Sequence, residues 1–344
     1  MTPPAPASVP RDRAVRVGVL GATSQIYRLA LRQAFDSVAG VQVVHEASLG
    51  GELLELPDVR RSTGVGAYEA VVTDPNVDLV YVPLPNHLHE RWVTAAAAAG
   101  RHVLCEKPLA PDAATAQRMV NVCRDASVVL LEAYMSPHHP RSVALQHAVA
   151  HGALGGPLTD ASARMTGTLP RDNHRWTIPA GGGALADVGI YCLEPMLTAA
   201  CWDGDPSSVE VLSAASRWHG TVDDATTALL RVTTGPAAGA TVALHVDLSA
   251  PDQQRLQLTG PTASIEVELR HATPDRRDSG FHRRDADGSI STTPTETGDC
   301  YEGMVAHLRD VLRGDVASLR PPARSVALAA VLDQIRQAAV RAGA

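Results

Sequence analysis

Apolar residues follow two rhythms along this chain, and the change between them divides it. In the first stretch, short β-branched runs alternate with segments of helical spacing. Residues 14–20 (AVRVGVL), 41–46 (VQVVHE), 78–83 (DLVYVP), 101–105 (RHVLC) and 127–133 (SVVLLEA) lack the regular alternation of a half-exposed sheet, which predicts strands buried on both faces. Between them, residues 27–38, 89–99 and 113–125 carry apolar side chains at helical intervals. Strands alternating with helices predict βαβ units wound into one parallel sheet.

Beyond residue 137 the character changes. From residue 207 come long strand-like runs, SVEVLSAASRW, DATTALLRVTT, ATVALHVDLS, RLQLTG and ASIEVEL, separated by Gly, Pro and Asp turns with no helix between them. These predict an antiparallel sheet. Residues 274–298 are rich in Arg, Asp, Ser and Thr and read as an exposed excursion, while 301–313 and 323–340 have helical spacing. The predicted class is α/β plus α+β: a disordered tail over 1–12, a Rossmann-type, doubly wound parallel domain over 13–136, and a substrate-binding and oligomerisation domain over 137–344 built on an open, mainly antiparallel sheet, with a C-terminal helix that has the alternative of packing back on the first domain. Such a pairing is expected to place a substrate crevice between the domains.

Composition narrows the function. The 344 residues are 45% hydrophobic and 19% charged, enough for two cores. Thirty Lys and Arg against 37 Asp and Glu leave a net charge of −7, so no basic field is available for nucleic acid or an anionic membrane surface. No run approaches the roughly 20 apolar residues of a bilayer span, and the opening MTPPAPASVPRD lacks the pattern of a secretory leader; the expectation is a cytoplasmic protein. Five scattered cysteines, never spaced as CxxC, read as reduced thiols. His87 and His89 alternate on an extended segment, but no third ligand follows at a recognisable spacing, so no metal is expected.

The first predicted strand ends in Gly21-Ala22-Thr23-Ser24-Gln25-Ile26, where a Rossmann fold turns main-chain N–H groups and a helix N-terminus onto a pyrophosphate. The GxGxxG spelling would require glycine at Thr23 and Ile26, so the turn alone is weak evidence. After the second strand, Ser48 stands where a small hydroxyl leaves room for the 2′-phosphate of NADP, with Arg60 and Arg61 as candidate partners. The nearby Glu46 keeps NAD(H) as the alternative.

Two further blocks are sharper. VDLVYVPLPNHLHERWVTAAAAAGRHVLCEKPLA, over residues 77–110, resembles the matching stretch of the Gfo/Idh/MocA oxidoreductases, the family named for glucose-fructose oxidoreductase, inositol dehydrogenase and a rhizopine-catabolism protein. DNHRWTIPAGGGALADVGIY, over residues 172–191, resembles that family's catalytic helix and its approach, and the two blocks follow in the family's order. The resemblance spans essentially the whole chain. It implies that Lys107 of Glu106-Lys107-Pro108 is the active-site lysine, positioned by Glu106, and that Pro85, Asn86 and His89 lie beside the cofactor. Asp187 and Tyr191 are four apart, which by helix geometry alone puts them on one face.

A tyrosine where many members carry histidine resembles the dihydrodiol dehydrogenase and sugar ketoreductase branches. Hydride transfer to a carbonyl leaves an alkoxide that needs a proton as it forms, and a phenol beside an ammonium is a competent donor. Tyr191 is therefore expected as acid/base, assisted by Lys107 with Asp187 as orienter, and Arg175 and Trp176 as substrate wall. The expected activity is an NAD(P)-dependent oxidoreductase, preferring NADP(H), on a secondary alcohol or ketone of a sugar, nucleotide sugar, cyclitol or diol. Two rivals remain: an NAD-dependent polyol dehydrogenase working oxidatively, and a non-catalytic sensor or scaffold of the same fold. The open sheet's alternating face predicts a homodimer or homotetramer.

Overall fold

A computed structural model describes residues 8–53, 56–176, 182–268 and 270–342. They divide into two compact units, one of residues up to 134 together with 301–326, the other of 135–300 together with 327 onward. Within the segment expected as a tail, Val9 is buried and its N–H donates to the Leu312 carbonyl at 2.8 Å.

The first unit is a six-stranded parallel sheet. Its strands are β1 (Val15–Leu20), β2 (Val41–Ser48), β3 (Arg60–Thr63), β4 (Leu79–Val82), β5 (His102–Glu106) and β6 (Leu130–Ala133), in the spatial order β3-β2-β1-β4-β5-β6. The order reverses at β1, where crossovers leave to opposite sides and an open crevice forms beyond the strand ends. Helices α1 (Arg32–Ser37), α2 (Ala67–Val72), α3 (His89–Ala98) and α4 (Ala113–Asp125) connect the strands. One core contains Leu20, Val80, Val82, Val93, Val103 and Met119. Elsewhere Phe35 packs edge-on against the fully buried Tyr81 at 5.7 Å. Apolar strands with no polar face are what a sheet covered on both sides requires.

Three differences from the sequence expectation have physical causes. The helix expected over 27–38 begins as a π-helical turn at Tyr27–Leu31 before α1. β2 runs two residues further than expected, to Ser48, because its pairing with β3 carries it there. β3 and α2 were not expected: RRST is a polar edge strand, and six residues are too few to show a period.

The second unit is built on an eight-stranded sheet: β7 (Asp160–Thr168), β8 (Val209–His219), β9 (Val222–Val232), β10 (Thr241–Asp247), β11 (Ser249–Thr259), β12 (Ala263–Glu268), β13 (Phe281–Asp285) and β14 (Ile290–Thr293). The order is β14-β13-β12-β11-β7-β10-β9-β8. All pairs are antiparallel except β7 with β10, which run parallel from Asp160 opposite Thr241 to Thr166 opposite Asp247. The central β7 escaped the sequence reading because its inward positions, Ala161 and Ala163, are small. The expected excursion at 274–298 contains the β13–β14 hairpin, a polar sheet edge. Helix α5 (Pro140–Ala150) was likewise not expected.

Helix α6 (Ala184–Ala199) packs on β7, β9 and β10, and nearly all its side chains are buried. A helix apolar on all sides belongs in a core. Helices α7 (Cys300–Leu312) and α8 (Pro322–Ala342) follow the sheet. Among the described residues no helix is long and apolar enough to cross a membrane.

Leu104, 1% exposed in β5, tests the buried packing of the first unit. Leu104→Ala is expected to cost about 2–5 kcal/mol, read as a lower urea midpoint with an unchanged denaturant slope.

Candidate functional site

The turn after β1 is tight and selects glycine at its first position. Gly21 sits at φ +67°, and a Cβ there would lie 2.7 Å from Leu84 Cδ2, so both conformation and space select glycine. Ser24 N–H closes the turn on the Gly21 carbonyl at 2.8 Å, while Gln25 is exposed and Ile26 half-buried. Thr23 Oγ1 lies 3.2 Å from Ser48 Oγ, so the threonine is turned to the end of β2. Ser48 is buried, and its hydroxyl also donates to the Gly50 carbonyl.

A 570 Å³ cavity opens here, lined by Thr23, Tyr27, Arg28, Arg32, Glu46 and Glu52, among others. Its size is that of an ordinary small-molecule pocket, and its two guanidiniums and threonine hydroxyl suit a phosphorylated ribose. The turn and the cavity therefore fit the nucleotide half of a dinucleotide. Glu46 is buried; it accepts from Tyr27 Oη and pairs with Arg32 Nη1 at 2.7 Å. Burial, and then the Glu46 charge, push the Tyr27 phenol up. Arg60 does not line the cavity; its guanidinium is 3.3 Å from Asp74.

At the other side of β1, Lys107 leaves β5 half-buried, followed by a cis bond to Pro108. The main chain around it is held by buried side chains. Glu106 Oε2 accepts from Lys107 N at 3.3 Å and Oε1 from Tyr81 Oη at 2.7 Å. Glu132, on β6, accepts from Leu109 N at 2.8 Å and pairs with Arg320, whose guanidinium lies over the Tyr134 ring. Burial pushes the Glu106 carboxyl up; the Tyr81 hydrogen bond and the Lys107 charge oppose this.

His89, expected beside a cofactor, has both ring nitrogens engaged by the protein. It is fully buried, with Nε2 2.8 Å from the Leu84 carbonyl and Nδ1 3.1 and 3.2 Å from those of Pro108 and Leu109. With both nitrogens on main-chain carbonyls, the ring ties two strand exits together and presents neither nitrogen to a ligand. Pro85 and Asn86, half-buried at the start of a 3₁₀ turn, lie at the end of the same exit.

In the second unit, α6 starts at Gly183, φ +98°, where a Cβ would lie 2.1 Å from Asp223 Oδ1. Asp223 reaches across from β9 and caps the helix: its Oδ2 accepts from Leu185 N at 2.8 Å and from Thr226 Oγ1 at 2.7 Å. Asp187 and Tyr191 follow one turn apart. Arg175 Nε stands 2.8 Å from Asp187 Oδ2, an ion pair rather than an aligned hydrogen bond. The Tyr191 hydroxyl points to Met135 Sδ at 3.7 Å. Trp176, expected as substrate wall, is buried with its N–H on the Pro170 carbonyl and its ring edge-on to His219. Gly181, within the block 172–191, lies outside the described residues.

Sequence reasoning missed Arg28 and Arg32 in the nucleotide cavity, the Glu132–Arg320 pair, Asp223, and His271. The two arginines stand four apart on a helix, a spacing shared with many solvated pairs. Partners distant in sequence carry no local signal.

Residues 15–134 match the Gfo/Idh/MocA "Oxidoreductase family, NAD-binding Rossmann fold", and residues 142–266 match the "GFO/IDH/MocA C-terminal domain". D-xylose 1-dehydrogenase (NADP(+)) 2 of Haloferax volcanii is 34% identical over 230 residues, 62% of this chain and 67% of that protein. The dTDP-3,4-didehydro-2,6-dideoxy-alpha-D-glucose 3-reductase of Actinomadura kijaniata is 33% identical over 189 residues, 52% of this chain and 53%, about half, of the reductase. A solved structure of a 3-ketoreductase from Actinomadura kijaniata, in complex with NADP and TDP-benzene, superposes with a TM-score of 0.83 at 25% identity, covering 95% of this chain and 98% of that one.

His271 makes the second unit sensitive to acid. Its Nε2 meets the Tyr191 carbonyl at 3.2 Å, and its buried Nδ1 has no hydrogen-bond partner among the described residues. Burial therefore holds its pKa down, to about 4 from the ordinary 6.5. A depressed folded pKa gives stability that is complete above about pH 6.5 and is lost as the pH falls toward 4, at most on the order of 3 kcal/mol. His271→Gln keeps a donor for Tyr191 O and does not titrate. Urea unfolding at pH 7 and pH 5 is expected to show a smaller loss in the variant, and an equal loss would refute the assignment.

Proposed function

This chain belongs to the Gfo/Idh/MocA oxidoreductase family, and from that premise we propose that it transfers hydride between NADP(H) and a secondary alcohol or ketone of a sugar-like substrate. The observation that carries the reading is Lys107 at a strand exit whose main chain is held by buried Glu106 and Glu132, in a chain that also presents Asp187 and Tyr191 from one face of a capped helix. The substrate class is supported by a xylose dehydrogenase and by the Actinomadura kijaniata matches, a deoxysugar 3-reductase in sequence and a 3-ketoreductase solved with NADP and a TDP derivative.

The nicotinamide, when bound, supplies or accepts the hydride. In the reductive direction the chain's task is the proton. The Tyr191 phenol donates it to the alkoxide oxygen as negative charge builds there, and the Lys107 ammonium stabilises that charge. Asp187 pairs with Arg175 and so fixes a guanidinium, which in this reading serves the hydroxyls of the substrate. In oxidation the same groups act in reverse, with the phenolate taking the proton.

Within this reading NADP(H) is preferred over NAD(H), because the buried Ser48 offers no carboxylate at the end of β2. An oxidoreductase is favoured over a sensor because the Thr23 side chain, the departure from glycine in the turn, meets Ser48 at the end of β2. The reading includes self-association through the outward side of β9, where Thr227, Leu229 and Arg231 are exposed.

With NADPH and a panel of keto sugars, nucleotide sugars and diols, Lys107→Ala and Tyr191→Phe are each expected to lower kcat by about 10²–10⁴, with thermal unfolding unchanged. Near-normal turnover in both would refute the roles. Light scattering at micromolar concentration is expected to give a dimer or tetramer; a monomer would refute the association.

A further inference from the structure

The charges around the nucleotide cavity are not equivalent. Arg32 is committed to two carboxylates, Glu46 at 2.7 Å and Asp36 at 2.9 Å. Glu46 is committed in turn, since Tyr27 donates to the Oε1 that Arg32 holds. This double engagement depends on the π-helical turn. In an α-helix, residues five apart point about 140° away from one another, so Tyr27 and Arg32 could not both meet one carboxylate oxygen. Here Arg32 N–H bonds to the Tyr27 carbonyl, five residues back, which stacks the two side chains on one face.

Arg28 is the remaining cation. It lines the same cavity, is exposed, and donates from Nη2 to the Glu52 carbonyl at 2.9 Å. Among the described residues it has no carboxylate partner. The cavity wall therefore carries one guanidinium with no carboxylate partner among the described residues, beside a buried acid neutralised from two sides; the other lining acid, Glu52, is exposed and meets Arg28 through its main-chain carbonyl. An NAD-selecting site needs the opposite, an acid free to accept from the ribose hydroxyls.

We infer that Arg28 is the residue that reads the 2′-phosphate of NADP(H), while the Tyr27–Arg32 clamp on Glu46 removes the carboxylate that would otherwise favour NAD(H). A guanidinium and a phosphate form a charge-assisted, bidentate pair, and the group comes from the helix after the phosphate turn rather than from Arg60 or Arg61. The inference rests on the dinucleotide-dependent reading above and adds to it the group that sets cofactor choice.

The test uses the full chain and binding rather than turnover. Calorimetry with adenosine 2′,5′-bisphosphate and with 5′-AMP is expected to show the bisphosphate bound roughly 10- to 100-fold more tightly. Arg28→Gln, at an exposed position, is expected to remove at least tenfold of that preference and to leave 5′-AMP affinity within about threefold. Equal binding of the two probes by the natural chain, or an unchanged preference in the variant, overturns the role of Arg28; if NADPH or NADH still binds, the oxidoreductase reading stands. Inorganic phosphate binding as tightly as the bisphosphate also overturns it, by making the cavity a general anion site. Binding of neither dinucleotide overturns both proposals.

Discussion

Much of the first unit's polar architecture follows from one constraint: a lysine must leave the end of a buried strand with its main chain held still. Water is scarce at such a place, so protein groups must satisfy the peptide units of residues 106–109. Three buried titratable side chains do so. Glu106 receives Lys107 N, Glu132 receives Leu109 N, and His89 lies against the carbonyls of Pro108 and Leu109. Each is supported in turn, Glu106 by Tyr81, Glu132 by Arg320, and His89 by the Leu84 carbonyl. Losing one partner of a buried pair such as Glu132–Arg320 costs roughly 3–5 kcal/mol, so the bracing is a stability requirement in its own right.

The second unit solves a similar problem with a helix. Helix α6 is buried almost throughout, yet it must present an aspartate and a tyrosine one turn apart. Its first turn has free N–H groups that burial would penalise. Asp223, from β9, meets one of them, and Gly183 leaves the space that the aspartate occupies. Burial pushes the Asp223 carboxyl up, against its hydrogen bonds from Thr226 and Leu185. Glycine and aspartate stand 40 positions apart, but they form one device.

Most of the first unit was legible because buried parallel strands spell themselves as unbroken β-branched runs, as β1, β4 and β5 do. Elements without that signal were not. β7 is central to its sheet but carries small inward residues, and β13 and β14 are polar because they lie at an edge. Lys107, Asp187 and Tyr191 were legible as blocks of sequence; what surrounds them was not. His89 and Trp176 show the limit most clearly: both stand in those blocks, yet their polar atoms are used up by main-chain carbonyls.

The sequence by itself determined the class of fold, the family resemblance, and which residues stand one helical turn apart, because these depend on local period and on short contiguous motifs. Only the tertiary structure decided which charges are free. Glu46 stands two residues before Ser48 in any reading of the chain, but its neutralisation depends on a π-helical turn and a tyrosine 19 residues away. Arg28 and Arg32 look alike in sequence, and only the cavity distinguishes the one spent on carboxylates from the one without them. Coulombic partnership is a matter of distances through space, and the order of residues along a chain does not contain them.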